Sequence, residues 1–158
     1  MFFPIIFLIL FWGVWLIIAQ QKSQSVKGLK AQLFRNNTKV TKQLQNVKCF
    51  TFATGRRREN FRFNRADLVM TDDALFIFGF YKLAKLKFYQ CLIILTDQKE
   101  YYTQHFESAT IPVLIKFNLN SFNNDVYIEF GKSDSLYENI EIRLENLSAE
   151  DKNYIYLK

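Results

Sequence analysis

The opening residues constrain the rest of the chain more than any other feature. From Phe2 to Ala19 the sequence reads FFPIIFLILFWGVWLIIA, 18 residues with no charge and no side-chain amide. A helix rises ~1.5 Å per residue, so the run spans about 27 Å, close to the ~30 Å hydrocarbon core of a bilayer. Thirteen of these residues are Leu, Ile, Phe or Val, each favouring insertion by ~0.3–0.6 kcal/mol at mid-membrane. Pro4 falls in the first turn, where a missing N–H costs little. The run is apolar on every side, unlike the striped helix of a soluble core. No Lys or Arg precedes it, and Ile17-Ile18-Ala19 lacks a small-x-small pattern, which argues against a cleaved signal. The expectation is a transmembrane anchor over residues 1–21, with Gln20 and Gln21 at the headgroups.

Charge sets the orientation. Lys22, Lys27 and Lys30 follow the run and no side-chain cation precedes it. The positive-inside rule then predicts a single-pass protein of the cell membrane with its C-terminal domain in the cytoplasm. Residues 22–46 form a basic, acid-free juxtamembrane segment whose leading cations are Lys22, Lys27, Lys30 and Arg35. Val26, Leu29, Leu33 and Phe34 share a helical face, and Val40, Leu44 and Val47 repeat that spacing after Asn36-Asn37. Two placements suit this segment: a stalk continuing the anchor, or a helix lying on anionic headgroups. Residues 1–96 carry 15 Lys/Arg against 4 Asp/Glu, a formal +11, whereas residues 97–158 carry 6 against 11, or −5. Anionic lipid attracts each nearby cation by about 1 kcal/mol, so the basic half is expected at the membrane. The acidic half is expected to point away, towards a protein partner.

After Val47 the period changes to two, and residues 47–158 read as one β-rich domain. Val113, Ile115, Phe117 and Leu119 alternate, as do Val126, Ile128 and Phe130, and Ile140, Ile142 and Leu144. Thr71-Asp72-Asp73 marks a hairpin turn before LFIFGF, and Cys91–Leu95 is apolar on both faces. Seven strands are expected, near 47–54, 61–71, 75–81, 89–96, 112–119, 126–131 and 138–146, with a bulge or break near Arg65-Ala66. Residues 97–111, including Glu100-Tyr101-Tyr102 and Phe106, are read as a loop. Ser148-Ala-Glu-Asp151 starts a short C-terminal helix, with Tyr154–Leu157 open to an eighth strand. The fold class is therefore mainly β: an N-terminal transmembrane α-helix, then an antiparallel seven-stranded barrel or sandwich.

Seven antiparallel strands followed by a terminal helix, with RADLVMTDDALFIFG (Arg65–Gly79) as a strand-turn-strand, resemble the pleckstrin-homology-like superfold over residues 47–158. In lipid-binding members the first hairpin loop grips inositol phosphates through a Lys, a spacer and a basic-x-basic pair. Lys48, Arg56 and Arg58 match that pattern here, and Arg57 and Arg62 lie alongside. Guanidinium forks suit phosphate oxygens because they bind two at once. The resemblance thus implies Lys48, Arg56, Arg57, Arg58 and Arg62 as lipid or phosphate contacts. A solvated basic turn fits the same residues.

Little in the sequence points to catalysis. His105 is the lone histidine, and Cys49 and Cys91 form no CxxC pair. The two thiols read as free and buried, or as a disulfide if the domain lies outside the cell. The five glycines are far apart, so no phosphate loop forms. No cofactor, metal site or nucleic-acid partner is expected. The reading is a non-enzymatic membrane module contacting anionic lipid and a protein partner. Its rivals are an accessory subunit of a larger membrane complex and a membrane-tethered enzyme.

Overall fold

The computed structural model describes residues 3–35, 39–55, 58–131 and 139–155, and their side chains except those of residues 3–10 and Arg58. Helix α1 (Phe3–Arg35) runs unbroken for 33 residues. Beyond Ala19 its composition turns polar and a single apolar stripe remains. Val26 and Leu33 on that stripe are buried, and Leu29 is half-buried. Such a stripe needs an apolar surface to cover it, and the β-sheet supplies one.

The strands are β1 (Val40–Ala53), β2 (Arg65–Thr71), β3 (Ala74–Leu83), β4 (Leu86–Thr96), β5 (Val113–Asn118), β6 (Val126–Gly131) and β7 (Asn139–Leu144). They pair antiparallel in the order β4-β3-β2-β1-β7-β6-β5. The long first strand joins the two halves. Its residues 40–48 pair with β2, and Cys49–Ala53 pair with β7. The result is a barrel-like meander, open between β4 and β5. There Thr110 lies beside β4, donating its N–H to Leu92 O at 2.8 Å and accepting from Ile94 N at 2.9 Å.

Alternation sorts the side chains into two cores. Leu68, Met70, Leu75, Ile77, Ile93, Leu95, Ile128 and Ile142 fill the barrel. On the outer face of β2–β4, Val69, Phe76, Phe78, Phe80, Tyr89, Leu92 and Ile94 pack beneath α1 and the short helix α2 (Lys99–His105). Strand β3 is thus buried on both faces, which is why LFIFGF shows no polar phase. Ser148 caps α3 (Ala149–Lys152), its hydroxyl accepting from Asp151 N at 3.0 Å.

Four expectations are corrected. Among the described residues no helix is long and apolar enough to cross a membrane, which overturns the transmembrane anchor in the expected fold class. From Gln20 onward the helix is polar but for one apolar stripe, and that part is given over to packing on the sheet. Secondly, residues 40–46 are strand, not helix. Register shifts between Val40 and Lys42 and between Leu44 and Val47 break the alternation, so the three residues imitate helical spacing although Val40 packs with the outer core and Leu44 and Val47 with the barrel. Thirdly, a bulge between Leu114 and Lys116 turns Leu114 and Phe117 inward and leaves Val113 and Ile115 exposed. Fourthly, the tract 99–105 is helical, with Tyr102 and Phe106 packed edge-on against Phe76. Phe61 and Phe63 precede β2 rather than belonging to it, and both are buried. Asn36-Asn37 and residues 156–158, which complete the eighth-strand alternative, lie outside the described residues.

Gly79 owes its identity to Phe63. A Cβ there would sit 2.5 Å from the Phe63 ring, which is itself buried and cannot swing out to solvent. Gly79→Ala is expected to destabilise the fold by about 1–3 kcal/mol, read as a lower urea midpoint, and Phe63→Leu in the same chain should recover part of the loss.

Candidate functional site

The helix is held to the sheet by charge as well as by grease. Asp67 on β2 faces outward beneath α1 and is 1% exposed. Its carboxylate accepts from Lys30 Nζ at 2.8 Å, Lys87 Nζ at 2.9 Å, Tyr89 Oη at 2.6 Å and the Asn46 N–H at 2.9 Å. Burial alone would push its pKa up. The hydrogen bonds from Lys30, Tyr89, Asn46 and Lys87 outweigh burial and hold it at about 2. Burial, and then the Asp67 carboxylate, raise the Tyr89 phenol. Four segments of chain therefore meet at one anion. Asp67 carried no signal in the sequence beyond being a lone acid in an apolar strand.

This docking fixes where the apolar part of α1 leaves the domain. Gln32 Nε2 donates to His105 O at 2.9 Å at one end of the contact. At the other, Ser23 Oγ accepts from Tyr89 N at 3.1 Å, and Lys22 Nζ donates to Asn60 Oδ1 at 2.8 Å and Gln90 Oε1 at 3.4 Å. The helix thus departs beside the 3-10 turn Arg58–Phe61 and the start of β4. Beyond that point Phe11, Trp12, Val14, Trp15, Leu16, Ile17 and Ile18 are all exposed. Consecutive helical residues step round the axis by ~100°, so this apolar surface points in every direction.

The predicted cations divide between several places. Lys22 and Lys30 turn towards the sheet, and burial holds the Lys22 ammonium below the usual lysine pKa. Lys27 and Arg35 face solvent. Arg62, half exposed, pairs with Glu59 at 3.3 Å in the turn beside the departing helix. Arg56 and Arg57 lie outside the described residues, as does the Arg58 side chain. Lys48 pairs with Glu145 at 2.6 Å. It borders a cleft of about 420 Å³ at the bend of β1, together with Asn46, Arg65 and Asp151.

The sequence's charge split is folded back on itself at that bend. Lys42 on β1 pairs with Asp151 at 3.2 Å and Glu150 at 3.6 Å, and Lys48 pairs with Glu145. The acidic C-terminal half therefore does not stand apart from the basic half, because β1 is the neighbour of β7. Lys152 is buried and donates to the Asn120 and Asn124 side chains at 3.0 and 2.9 Å, and to the Asn124 carbonyl.

The remaining candidates are structural in their surroundings. Cys49 and Cys91 are free and buried, and burial pushes both thiols up to about 12. His105 is exposed and stacks on Tyr101 with ring centroids 4.3 Å apart. Asp73 accepts from Thr71 Oγ1 at 2.8 Å and Tyr102 Oη at 3.0 Å, and Asp72 pairs with Lys39. Among the described residues, no three His, Cys, Asp or Glu side chains are arranged to hold a metal. No protein-family model matches the chain, and neither a curated protein nor a solved structure matches it.

Proposed function

We propose that the protein is a non-catalytic binding or scaffolding module held at an anionic lipid surface by the apolar end of α1. The observation that carries this reading is the all-round apolar exposure of residues 11–18. A groove on a partner protein would cover one side of such a helix, whereas lipid chains surround it. Trp12 and Trp15, edge-to-face at 5.8 Å, are residues favoured at the headgroup boundary. The proposal concerns attachment and invokes no crossing. Strands that pair consecutively except at the β4–β5 opening, with the first lying beside the last, support the pleckstrin-homology-like reading of the β unit.

Flotation of the full chain with vesicles tests the attachment. The chain is expected to float with phosphatidylcholine vesicles containing phosphatidylserine. The triple substitution Trp12→Ser, Trp15→Ser, Ile18→Ser is expected to leave it at the bottom of the gradient. Equal flotation of both chains, or of neither, would defeat the proposal.

A second reading, an accessory subunit that contacts protein, draws on the outer face of β1, β7 and β6. Phe50 and Phe52 are exposed there beside Glu141, which stands opposite Glu129. Recovery in mild detergent of a stoichiometric partner that Phe50→Ser, Phe52→Ser releases would favour this second reading.

A further inference from the structure

We infer that the β3–β4 hairpin tip, residues 81–86, is a second lipid-inserting element that seats the barrel against the same anionic surface. The inference rests on the lipid-attached reading of α1 and adds an orientation to it. Strands β3 and β4 pair as far as Leu83 and Leu86, so the hairpin is formed to its last rung. Its tip stands in the open: Leu83 is 64% and Leu86 62% exposed, and Tyr81, Lys82, Ala84 and Lys85 are exposed with them. Two leucines at the end of a rigid arm are a poor choice for water and a good one for lipid.

The charges agree. From Ala74 to Thr96 the chain contains no Asp or Glu, while Lys82 and Lys85 alternate with the leucines. Neither lysine has an ion pair among the described residues. Lysines so placed reach back to headgroup phosphates while their stems and the neighbouring leucines sink below them. Position agrees as well. The apolar stretch of α1 leaves the domain where Ser23 and Lys22 meet residues 87–90 of β4, next along the chain from this tip. One flat surface can therefore receive both, and an anionic bilayer has the matching chemistry.

Depth-dependent quenching tests this on the full chain. A fluorophore is placed at Leu83→Cys or, for comparison, at Thr103→Cys on α2, the opposite end of the α1 contact. Cys49 and Cys91 are buried, with thiols raised to about 12, so labelling goes to the introduced site. Trp12 and Trp15 report on α1 independently. With brominated phosphatidylcholine–phosphatidylserine vesicles, the label at 83 is expected to shift to the blue and be quenched, and the label at 103 is not. Lys82→Glu, Lys85→Glu should abolish the quenching at 83 while leaving the tryptophans quenched. Quenched tryptophans with a wet label at 83 would overturn the inference and leave the attachment of α1 standing. No quenching of either would overturn both. Quenching at 83 that is equal on vesicles lacking phosphatidylserine would refute the role given to the lysines.

Discussion

Asp67→Ala is expected to lower stability by about 3 kcal/mol, at the low end of what breaking a buried ion pair costs. The reason is the company the carboxylate keeps. Removing it strands two ammonium groups, one phenol and one backbone N–H that now converge on it. Lys30 and Lys87 remain 19% and 30% exposed, so they regain some water, which keeps the loss from reaching the upper end of the range. Tyr89 is buried and regains little. Asp67→Asn keeps the shape and acceptor oxygen but not the charge, and should lose about 2–3 kcal/mol. That figure follows from a carboxyl held at about 2 against its ordinary value near 4, at ~1.4 kcal/mol per pH unit.

The same group sets a pH dependence whose sign is fixed. A carboxyl whose folded pKa lies below its unfolded one stabilises fully above the unfolded value. The contribution is lost as pH falls through the folded value, here between about 4 and 2. The gap between the urea midpoints of wild type and Asp67→Asn should therefore be much narrower at pH 2.5 than at pH 6. A gap that stays constant with pH would show that the carboxylate is not the anchoring group.

What the sequence disclosed depended on whether one phase of a pattern ran uninterrupted. Val126, Ile128 and Phe130, and Ile140, Ile142 and Leu144, alternate without a bulge, and all six are buried as read. Val113 and Ile115 alternate equally well and are exposed, because a single bulge exchanges the two faces of β5. Val40, Leu44 and Val47 imitated a helix for the same reason. Tyr102 and Phe106 held the converse clue, four residues apart in a tract otherwise read as loop. The exposed apolar stretch and the basic segment were legible at once. That the basic segment docks on the protein itself was not, since Val26, Leu29 and Leu33 fit any apolar surface. Local pattern gives a face but not the partner across it. The candidate site showed the same limit: Lys48 pairs with Glu145, far along the chain, because β1 runs beside β7.

The largest effect is expected from cutting the helix in two places. A chain beginning at Gln20 keeps the docked half of α1, and should fold with a sharp urea transition while failing to float with vesicles. A chain beginning at Lys39 loses Val26, Leu29, Leu33 and the Lys30 ion pair together. Full burial of a Val or Leu side chain is worth ~1.5–3 kcal/mol, and Leu29 is only half-buried, so the loss is roughly 4–7 kcal/mol before the ion pair is counted. A domain's whole stability is about 5–15 kcal/mol. The cut also uncovers the part of the outer apolar face that α1 covers, Phe78 and Tyr89 included, and an apolar patch opened in this way favours association. The shorter chain should aggregate, or bind a hydrophobic dye and melt without a cooperative transition. If instead it melts as sharply as the chain from Gln20, α1 is an appendage to the barrel rather than part of its core.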